Sequence, residues 1–176
     1  RWYWDYAGGL MTDIGAHQLD LVQWLGGVDA PKSVTANGGV YHFKTWETPD
    51  VVNATFDYGK FAATFNVEFI NGADGVGAAF YGTRQTLIAD AEKEVRLYDT
   101  ADKILPTTEP KERWKVEPET ALHVKNWLDC CRSRKEPNSP IELGHRVILS
   151  AHLANLSYRT AKKIFWDADR QEIIGG

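Results

Sequence analysis

The sequence has few of the residues that mark disulfide-rich, metal-binding or nucleic-acid-binding proteins. Its 176 residues include only two cysteines, and the formal net charge at pH 7 is −4. The cysteines, Cys130 and Cys131, are adjacent, a spacing that suits neither a disulfide framework nor a metal site. An acidic chain also lacks the basic surface that nucleic acid requires. These absences favour a reducing, cytoplasmic location, leave an exported form open, and argue against a nucleic-acid partner.

Long apolar runs and a phosphate-binding glycine turn are also missing. No apolar run approaches the roughly 20 residues that span a bilayer, so we expect no membrane partner. The nearest match to a dinucleotide-binding turn, residues 75–80, ends in Phe80 and precedes β-type residues, which predicts a hairpin or bulge. No spacing brings three or four metal ligands together. We therefore expect neither a cofactor-binding nor a metal-binding residue in this chain.

Residues 8–27 show the most informative pattern, a helical period between two glycine pairs. Asp13, His17, Asp20 and Trp24 are three or four residues apart and share one helix face. An imidazole between two carboxylates can be held in one tautomer, as a general acid or base requires. A solvated ion pair is the alternative interpretation. The opposite, apolar stripe is predicted to contain Met11, Ile14, Leu21, Val22 and Leu25.

Two neighbouring features favour a site over a solvated face. Gly15 lies inside the predicted helix, where glycine costs about 1 kcal/mol relative to alanine, so we expect close packing there. Residues 1–6 contain four aromatic side chains beside charged groups, which is typical of the wall of a polar small-molecule site. Packing in the core is the equally open alternative for these rings.

The middle of the chain predicts antiparallel β structure. Apolar and polar residues alternate over 52–58 and 61–69 around a tight turn, which predicts a hairpin. Further strands are predicted at 34–43, 76–81, 86–89 and 94–98. The second face of the hairpin is small and weakly polar, which favours packing against another sheet or subunit over an ordinary wet face.

The remaining residues predict helices and a final strand. Residues 99–117 are predicted as a loop, Pro118 as the start of a helix, and 163–166 as an edge strand. Between them lies a long helix whose face carries Leu143, Val147, Ala151, Ala154, Tyr158 and Ala161. The fold class is therefore α+β, with a large, mostly antiparallel open sheet and helices packed on one face. We expect residues 1–176 to form a single domain.

The segment from Gly8 to Asp20, with two glycines, Asp13, Gly15 and His17 at fixed spacings, resembles a known family. It is similar to the opening of the C-terminal domain of the Gfo/Idh/MocA oxidoreductases, which include glucose-fructose oxidoreductase and inositol dehydrogenase. The resemblance covers nearly the whole chain, and residues 126–167 resemble the bacterial sugar-acting branch. In this family an N-terminal Rossmann domain binds NAD or NADP. The C-terminal domain supplies the Asp and His, most of the sugar pocket and a sheet for oligomerisation.

The resemblance implies roles for individual residues of this chain. His17 would be the acid or base beside the reacting hydroxyl, and Asp13 would orient His17 or contact the substrate. The other expected substrate contacts are Arg1, Trp2, Trp4, Tyr6 and Asp20. The function implied is the substrate-binding and oligomerisation domain of an NAD(P)-dependent oxidoreductase acting on a sugar or polyol hydroxyl. Its partners would be that small molecule, the Rossmann domain and further copies of the chain.

The chain departs from the family pattern in lacking the nucleotide-binding half and the Glu-Lys-Pro segment, whose lysine works beside the histidine. It also begins with Arg rather than Met, so we expect a fragment that is inactive on its own. Two alternatives stay open. The intact protein could be an NAD-dependent glycoside-cleaving relative, or the chain could be a non-catalytic oligomerisation module.

Overall fold

The computed structural model describes residues 1–71, 77–90, 93–99, 109–116 and 119–175. The chain divides into two compact units, one made of Arg1–Asn71 with Ser139–Gly176 and the other of Gly72–Asn138. The predicted α+β class is confirmed, and the strands are distributed over two antiparallel sheets. Within the described ranges the elements are α1 (Gly9–Thr12), α2 (Ile14–Gly26), β1 (Ser33–Gly39), β2 (Val51–Asp57), β3 (Ala62–Glu68), β4 (Gly77–Tyr81), β5 (Gln85–Asp90), β6 (Glu94–Asp99), β7 (Glu112–Lys115), α3 (Thr120–Ser133), α4 (Ile141–Thr160), β8 (Ile164–Asp167) and β9 (Glu172–Ile173).

The first unit contains a five-stranded sheet in the order β3-β2-β1-β8-β9. The predicted hairpin is confirmed, because β2 and β3 pair in antiparallel register and the Tyr58 N–H donates to the Phe61 carbonyl at 3.0 Å. Alternate residues of β2 are buried and exposed, as a half-buried strand requires. The prediction of an edge strand at residues 163–166 is wrong, since β8 lies between β1 and β9.

Helices α2 and α4 contact the strands of this sheet and cover its buried face. Ala151 and Ala154, on the predicted face of α4, are fully buried, and their small side chains allow the helix to lie close to the sheet. Hydrogen bonds also hold α4 in place: the Ser157 hydroxyl accepts the Ala36 N–H at 2.9 Å, and the Gln23 amide donates to the Ser150 hydroxyl at 2.8 Å. Satisfied polar groups at buried positions fix one register of helix on sheet.

The second unit contains a four-stranded sheet in the order β4-β5-β6-β7, with α3. Strand β7 lies inside the predicted loop 99–117, so that prediction is wrong in part. The strand pairs with β6 in antiparallel register, and the Glu94 carboxylate of β6 contacts Arg113 of β7 at 3.1 Å. Strand β7 has no alternation of apolar and polar residues, so hydrophobic periodicity did not predict it. Pro118 and residues 75–76 lie outside the described residues.

Strand β1 ends four residues earlier than predicted, at Gly39, after a backbone that only glycine allows. Gly38 has φ of 154°, and a Cβ there would lie 2.1 Å from the Val51 carbonyl oxygen. The chain therefore leaves the sheet and forms a loop over residues 40–50 instead of continuing to residue 43.

Replacing Gly38 with alanine is expected to destabilise the chain by about 2 kcal/mol or more, because the new methyl group collides with backbone in a strained conformation. The free energy of unfolding in urea measures this. The matched control is Gly144→Ala in α4, where an added Cβ meets nothing within 4 Å. That change should stabilise the helix by up to about 1 kcal/mol. Equal effects at the two positions would contradict the geometry at Gly38.

Candidate functional site

Asp13 lies at a break between α1 and α2. Its φ of −94° and ψ of −91° are not helical. The preceding turn closes on itself, because the Thr12 hydroxyl accepts the Gly8 N–H at 3.1 Å and donates to the Gly9 carbonyl at 3.3 Å. The prediction of one continuous helix over residues 8–27 is therefore wrong. The break places Asp13 directly before the first turn of α2.

The buried face of α1 and α2 has a spacing of four residues and contains Met11, Gly15, Leu19 and Gln23. The close packing predicted at Gly15 is confirmed, since a Cβ there would lie 3.2 Å from the Met11 sulfur and 3.4 Å from the Phe65 ring. The predicted apolar stripe is wrong at Leu25, which is 48% exposed. Gln23 is buried instead because its amide is satisfied by Ser150.

The predicted polar stripe lies on the outer side of α2. His17 is exposed, Asp20 is half-buried and Trp24 is 72% exposed. His17 forms no hydrogen bond or ion pair with any residue that the structure describes. The imidazole is therefore accessible to a ligand.

Asp13 is paired with Arg1. The Arg1 Nε lies 3.1 Å from the Asp13 Oδ2, and the two side chains are 56% and 32% exposed. The Arg1 guanidinium also lies 5.5 Å from the centroid of the Trp2 ring, within cation–π range. The structure thus brings together three of the predicted site residues, one turn of helix before His17.

Trp2 belongs to a group of four stacked or tilted rings, which we call the aromatic cluster: Trp2, Phe43, Trp46 and Phe69. The Trp2 and Trp46 rings are parallel within 5° with centroids 3.6 Å apart, and Phe43 stacks on Trp46 at 4.2 Å. Phe69 tilts against Trp2 at 5.4 Å. Stacked pairs of this kind contribute about 0.5–1.5 kcal/mol beyond burial. The cluster therefore fixes the position of the residue next to Arg1.

The backbone of the loop over residues 40–50 also holds the first residues of the chain. The Trp2 carbonyl accepts the N–H groups of Glu47 at 2.9 Å and Thr48 at 3.1 Å. In return, the Glu47 carboxylate accepts the Trp4 N–H at 3.0 Å. These hydrogen bonds and the ring stacking both hold the loop over residues 40–50 against the first four residues.

A buried carboxylate organises this loop. Asp50 is fully buried, and its oxygens accept the N–H groups of Tyr41 at 2.9 Å and of His42 and Phe43 at 2.8 Å. Burial alone would raise the pKa of Asp50, but these backbone hydrogen bonds outweigh it and hold the pKa below its ordinary value. The loop is therefore folded around a negative charge.

Trp4 contacts different residues from those that Trp2 contacts. Its ring lies 6.3 Å from the Tyr158 ring and 4.9 Å from the Arg159 guanidinium carbon. Burial, together with Tyr41 and the charge of Asp50, raises the pKa of Tyr158. Trp4 also lines a cavity of about 560 Å³ beside α4. Neither Asp13 nor His17 lines this cavity.

The predicted substrate contacts are thus divided. Arg1 and Trp2 lie with Asp13, Trp4 lies at the cavity, and Tyr6 is 85% exposed. Asp20 lies on α2, where the structure shows no contact to Arg1 or Trp2. The sequence placed Trp2, Trp4 and Tyr6 two residues apart and did not predict that they have different surroundings.

Sequence reasoning missed the loop residues that position the site. Trp46 and Glu47 contact residues 1–4 directly, more than 35 positions away in sequence. Asp50 and Phe43 act on the loop itself, through the Phe43 N–H and the Phe43–Trp46 stacking. The available signal was the turn-forming Pro49 next to Asp50 directly before a strand, which marks a loop boundary.

A sequence model described as the GFO/IDH/MocA C-terminal domain matches residues 1–88, half of the 176-residue chain. The chain belongs to this family. The matched residues include the break at Asp13, His17, the loop over residues 40–50 and the hairpin. No curated protein matches the chain significantly in sequence.

Solved structures share the fold of this chain. The Bacillus subtilis protein yvaA, which its name describes as an oxidoreductase, is 22% identical with a TM-score of 0.72 over 94% of this chain and 55% of that one. The WlbA dehydrogenase of Bordetella pertussis, solved with NADH and UDP-GlcNAcA, is 21% identical with a TM-score of 0.65 over 96% of this chain and 48% of that one. UDP-N-acetylglucosamine 3-dehydrogenase GnnA of Acidithiobacillus ferrooxidans is 15% identical with a TM-score of 0.68 over 86% of this chain and 47% of that one. The chain spans about half the length of these structures.

The strand pairings of the described residues differ from those of a dinucleotide-binding unit. Their strand pairings are all antiparallel, whereas a dinucleotide is held by a parallel βαβ unit with a glycine-rich turn. Within the same residues, no group of three or more histidine, cysteine, aspartate or glutamate side chains is placed to hold a metal ion. No helix in the described ranges is long and apolar enough to cross a membrane.

Asp50→Asn is expected to destabilise the chain by about 2 kcal/mol or more, because an amide cannot accept three N–H groups as a charged carboxylate does. Since the folded pKa of Asp50 is lowered, its contribution is present above the unfolded value near 4 and is lost as pH falls through the folded value. Urea unfolding between pH 7 and pH 3 should therefore show the two proteins converging at acidic pH. Asp169→Asn, at an exposed turn, is the control and should change little. A constant gap at all pH values would contradict this assignment.

Proposed function

We propose that residues 1–176 form the C-terminal substrate-binding and oligomerisation domain of an NAD(P)-dependent oxidoreductase that acts on a sugar or polyol hydroxyl. Family membership and the fold shared with WlbA and GnnA support this proposal. The observation that carries it is the arrangement at the start of α2, where Asp13 is paired with Arg1 one turn before an accessible His17.

The proposed division of labour assigns the proton to this chain. His17 takes up or returns the proton of the reacting hydroxyl, a role that imidazole fills more often than any other side chain. Asp13 accepts a substrate hydroxyl or orients the imidazole, and its pairing with Arg1 holds the carboxylate in place. When bound, the nicotinamide cofactor supplies the hydride chemistry, and it is held by the nucleotide-binding half of the enzyme. The chain alone is therefore expected to bind substrate without turnover.

The exposed face of the five-stranded sheet supports the oligomerisation part of the proposal. Its residues align in rows across β1, β2 and β3: Thr35 with Thr55 and Thr64, and Asn37 with Asn53 and Asn66. These six side chains are short, uncharged and exposed, and the outward positions of the three strands contain no lysine or arginine. A two-fold interface places the same patch on both subunits, so a flat neutral patch can pack on itself.

In the full-length enzyme, His17→Ala is expected to lower kcat by about 100-fold to 10,000-fold, the contribution typical of a positioned general acid or base. Stability should change little because His17 is exposed and has no partner among the described residues. The control is His145→Ala, an exposed histidine of α4, which should keep full turnover. Unchanged turnover in the His17 variant would refute the catalytic role while leaving the binding role to be measured by substrate titration.

Thr55→Lys is expected to weaken self-association of the chain by about 100-fold, because a two-fold interface brings the two new charges together. Light scattering on a sizing column measures the mass over a range of concentrations. Thr45→Lys, on the exposed loop, adds the same charge away from the sheet face and should leave the mass unchanged. A native chain that stays monomeric at all concentrations, or a Thr55 variant that associates normally, would contradict the interface.

A further inference from the structure

The cavity beside α4 is lined by two tryptophan rings and by several polar side chains. Trp4 and Trp166 line it, together with His152, Asn155 and Arg159, and its remaining lining is mostly apolar. Its volume of about 560 Å³ is typical of a small-molecule site. None of Asp13, His17 and Asp20 contributes to it, so an inference about this cavity stands apart from the proposed catalytic role.

A positive charge at the cavity lacks a carboxylate. Arg159 contacts the Trp4 ring at 4.9 Å but forms no ion pair with any residue in the described part of the chain. The nearby acidic residues Asp167 and Glu172 are engaged by Arg170 instead, at 3.8 Å and 3.4 Å. A guanidinium that is held on an aromatic ring and lacks a counter-charge is suited to bind a carboxylate or phosphate.

Hydrogen-bonding groups are also available for hydroxyls. The Trp166 indole Nε1 is buried and has no partner among the described residues. Asn155 uses its Nδ2 to donate to the Gly8 carbonyl at 2.8 Å, which leaves its Oδ1 as an acceptor. The exposed His152 imidazole adds a further polar group. The Asn155 oxygen and the His152 imidazole are therefore the groups that can bond to a ligand hydroxyl, since the Trp166 nitrogen is closed to a ligand.

We propose that this cavity binds a sugar ring that carries an acidic substituent. The ring packs against Trp4 and Trp166, its hydroxyls bond to the Asn155 oxygen and the His152 imidazole, and its carboxylate or phosphate pairs with Arg159. The aromatic rings accept the apolar face of the sugar, while the guanidinium selects the anion.

The test is an NMR titration of the 176-residue chain that follows the indole N–H signals of Trp4 and Trp166. The probes are glucuronate and glucose 6-phosphate, with glucose and inorganic phosphate as comparisons. We expect at least one of the two acidic sugars to shift both indole signals and to bind about tenfold or more tightly than glucose. Glucuronate and glucose 6-phosphate together distinguish a carboxylate site from a phosphate site.

Arg159→Gln should weaken that binding by about tenfold or more, because it removes the charge but keeps a polar side chain. The matched control is Lys163→Gln, which removes the same charge near the same helix end, where Lys163 contacts Phe165 and does not line the cavity. It should leave the affinity unchanged. The proposal is overturned if no acidic sugar shifts the indole signals, if Arg159→Gln binds as tightly as the native chain, or if phosphate alone binds as tightly as glucose 6-phosphate.

Discussion

The candidate site depends on one buried carboxylate. Asp50 accepts three consecutive backbone N–H groups and thereby folds the loop over residues 40–50 into a single conformation. The loop carries Trp46, which stacks on Trp2, and its backbone holds the Trp2 carbonyl. Trp2 in turn adjoins the arginine that pairs with the acid at the helix break. The Asp50 carboxylate does not contact Asp13 or Arg1, but it fixes the loop that positions them.

Helix α4 supplies the second constraint. Its hydroxyl and amide groups contact α2, β1 and the Gly8 carbonyl. One helix therefore positions α2, the sheet and the residues that precede α1. The same helix lines the cavity together with Trp4, through residues that include His152, Asn155 and Arg159. Trp2 and Trp4 are therefore both held by side chains distant in sequence, Trp2 by the loop over residues 40–50 and Trp4 by α4. One short segment thus places Trp2 beside Arg1 and Trp4 at the cavity.

Local pattern predicted the parts of this fold that depend on local periodicity. The alternation around Tyr58 identified the hairpin, the small residues of α4 identified its buried face, and the unexpected Gly15 identified close packing. The pattern failed where a side chain overrides it. The Thr12 hydroxyl bonds to Gly8 and Gly9 in the turn before the break at Asp13, and Asp50 accepts the N–H groups of the loop that follows β1. Both are specific hydrogen bonds, to which hydrophobic periodicity is insensitive.

The site residues also differ in whether local sequence pattern or contacts distant in sequence determine their positions. The helical spacing predicted that Asp13 and His17 lie near each other along the chain, but it did not predict the break at Asp13. The positions of Trp2 and Trp4 depend on contacts with Trp46 and Tyr158. Amide hydrogen exchange at Tyr41, His42 and Phe43 tests the central claim most directly. If Asp50 holds the loop, these three amides should exchange as slowly as those of β2, with the exposed Thr45 amide exchanging fast. Exchange of all four at the same fast rate would contradict the account.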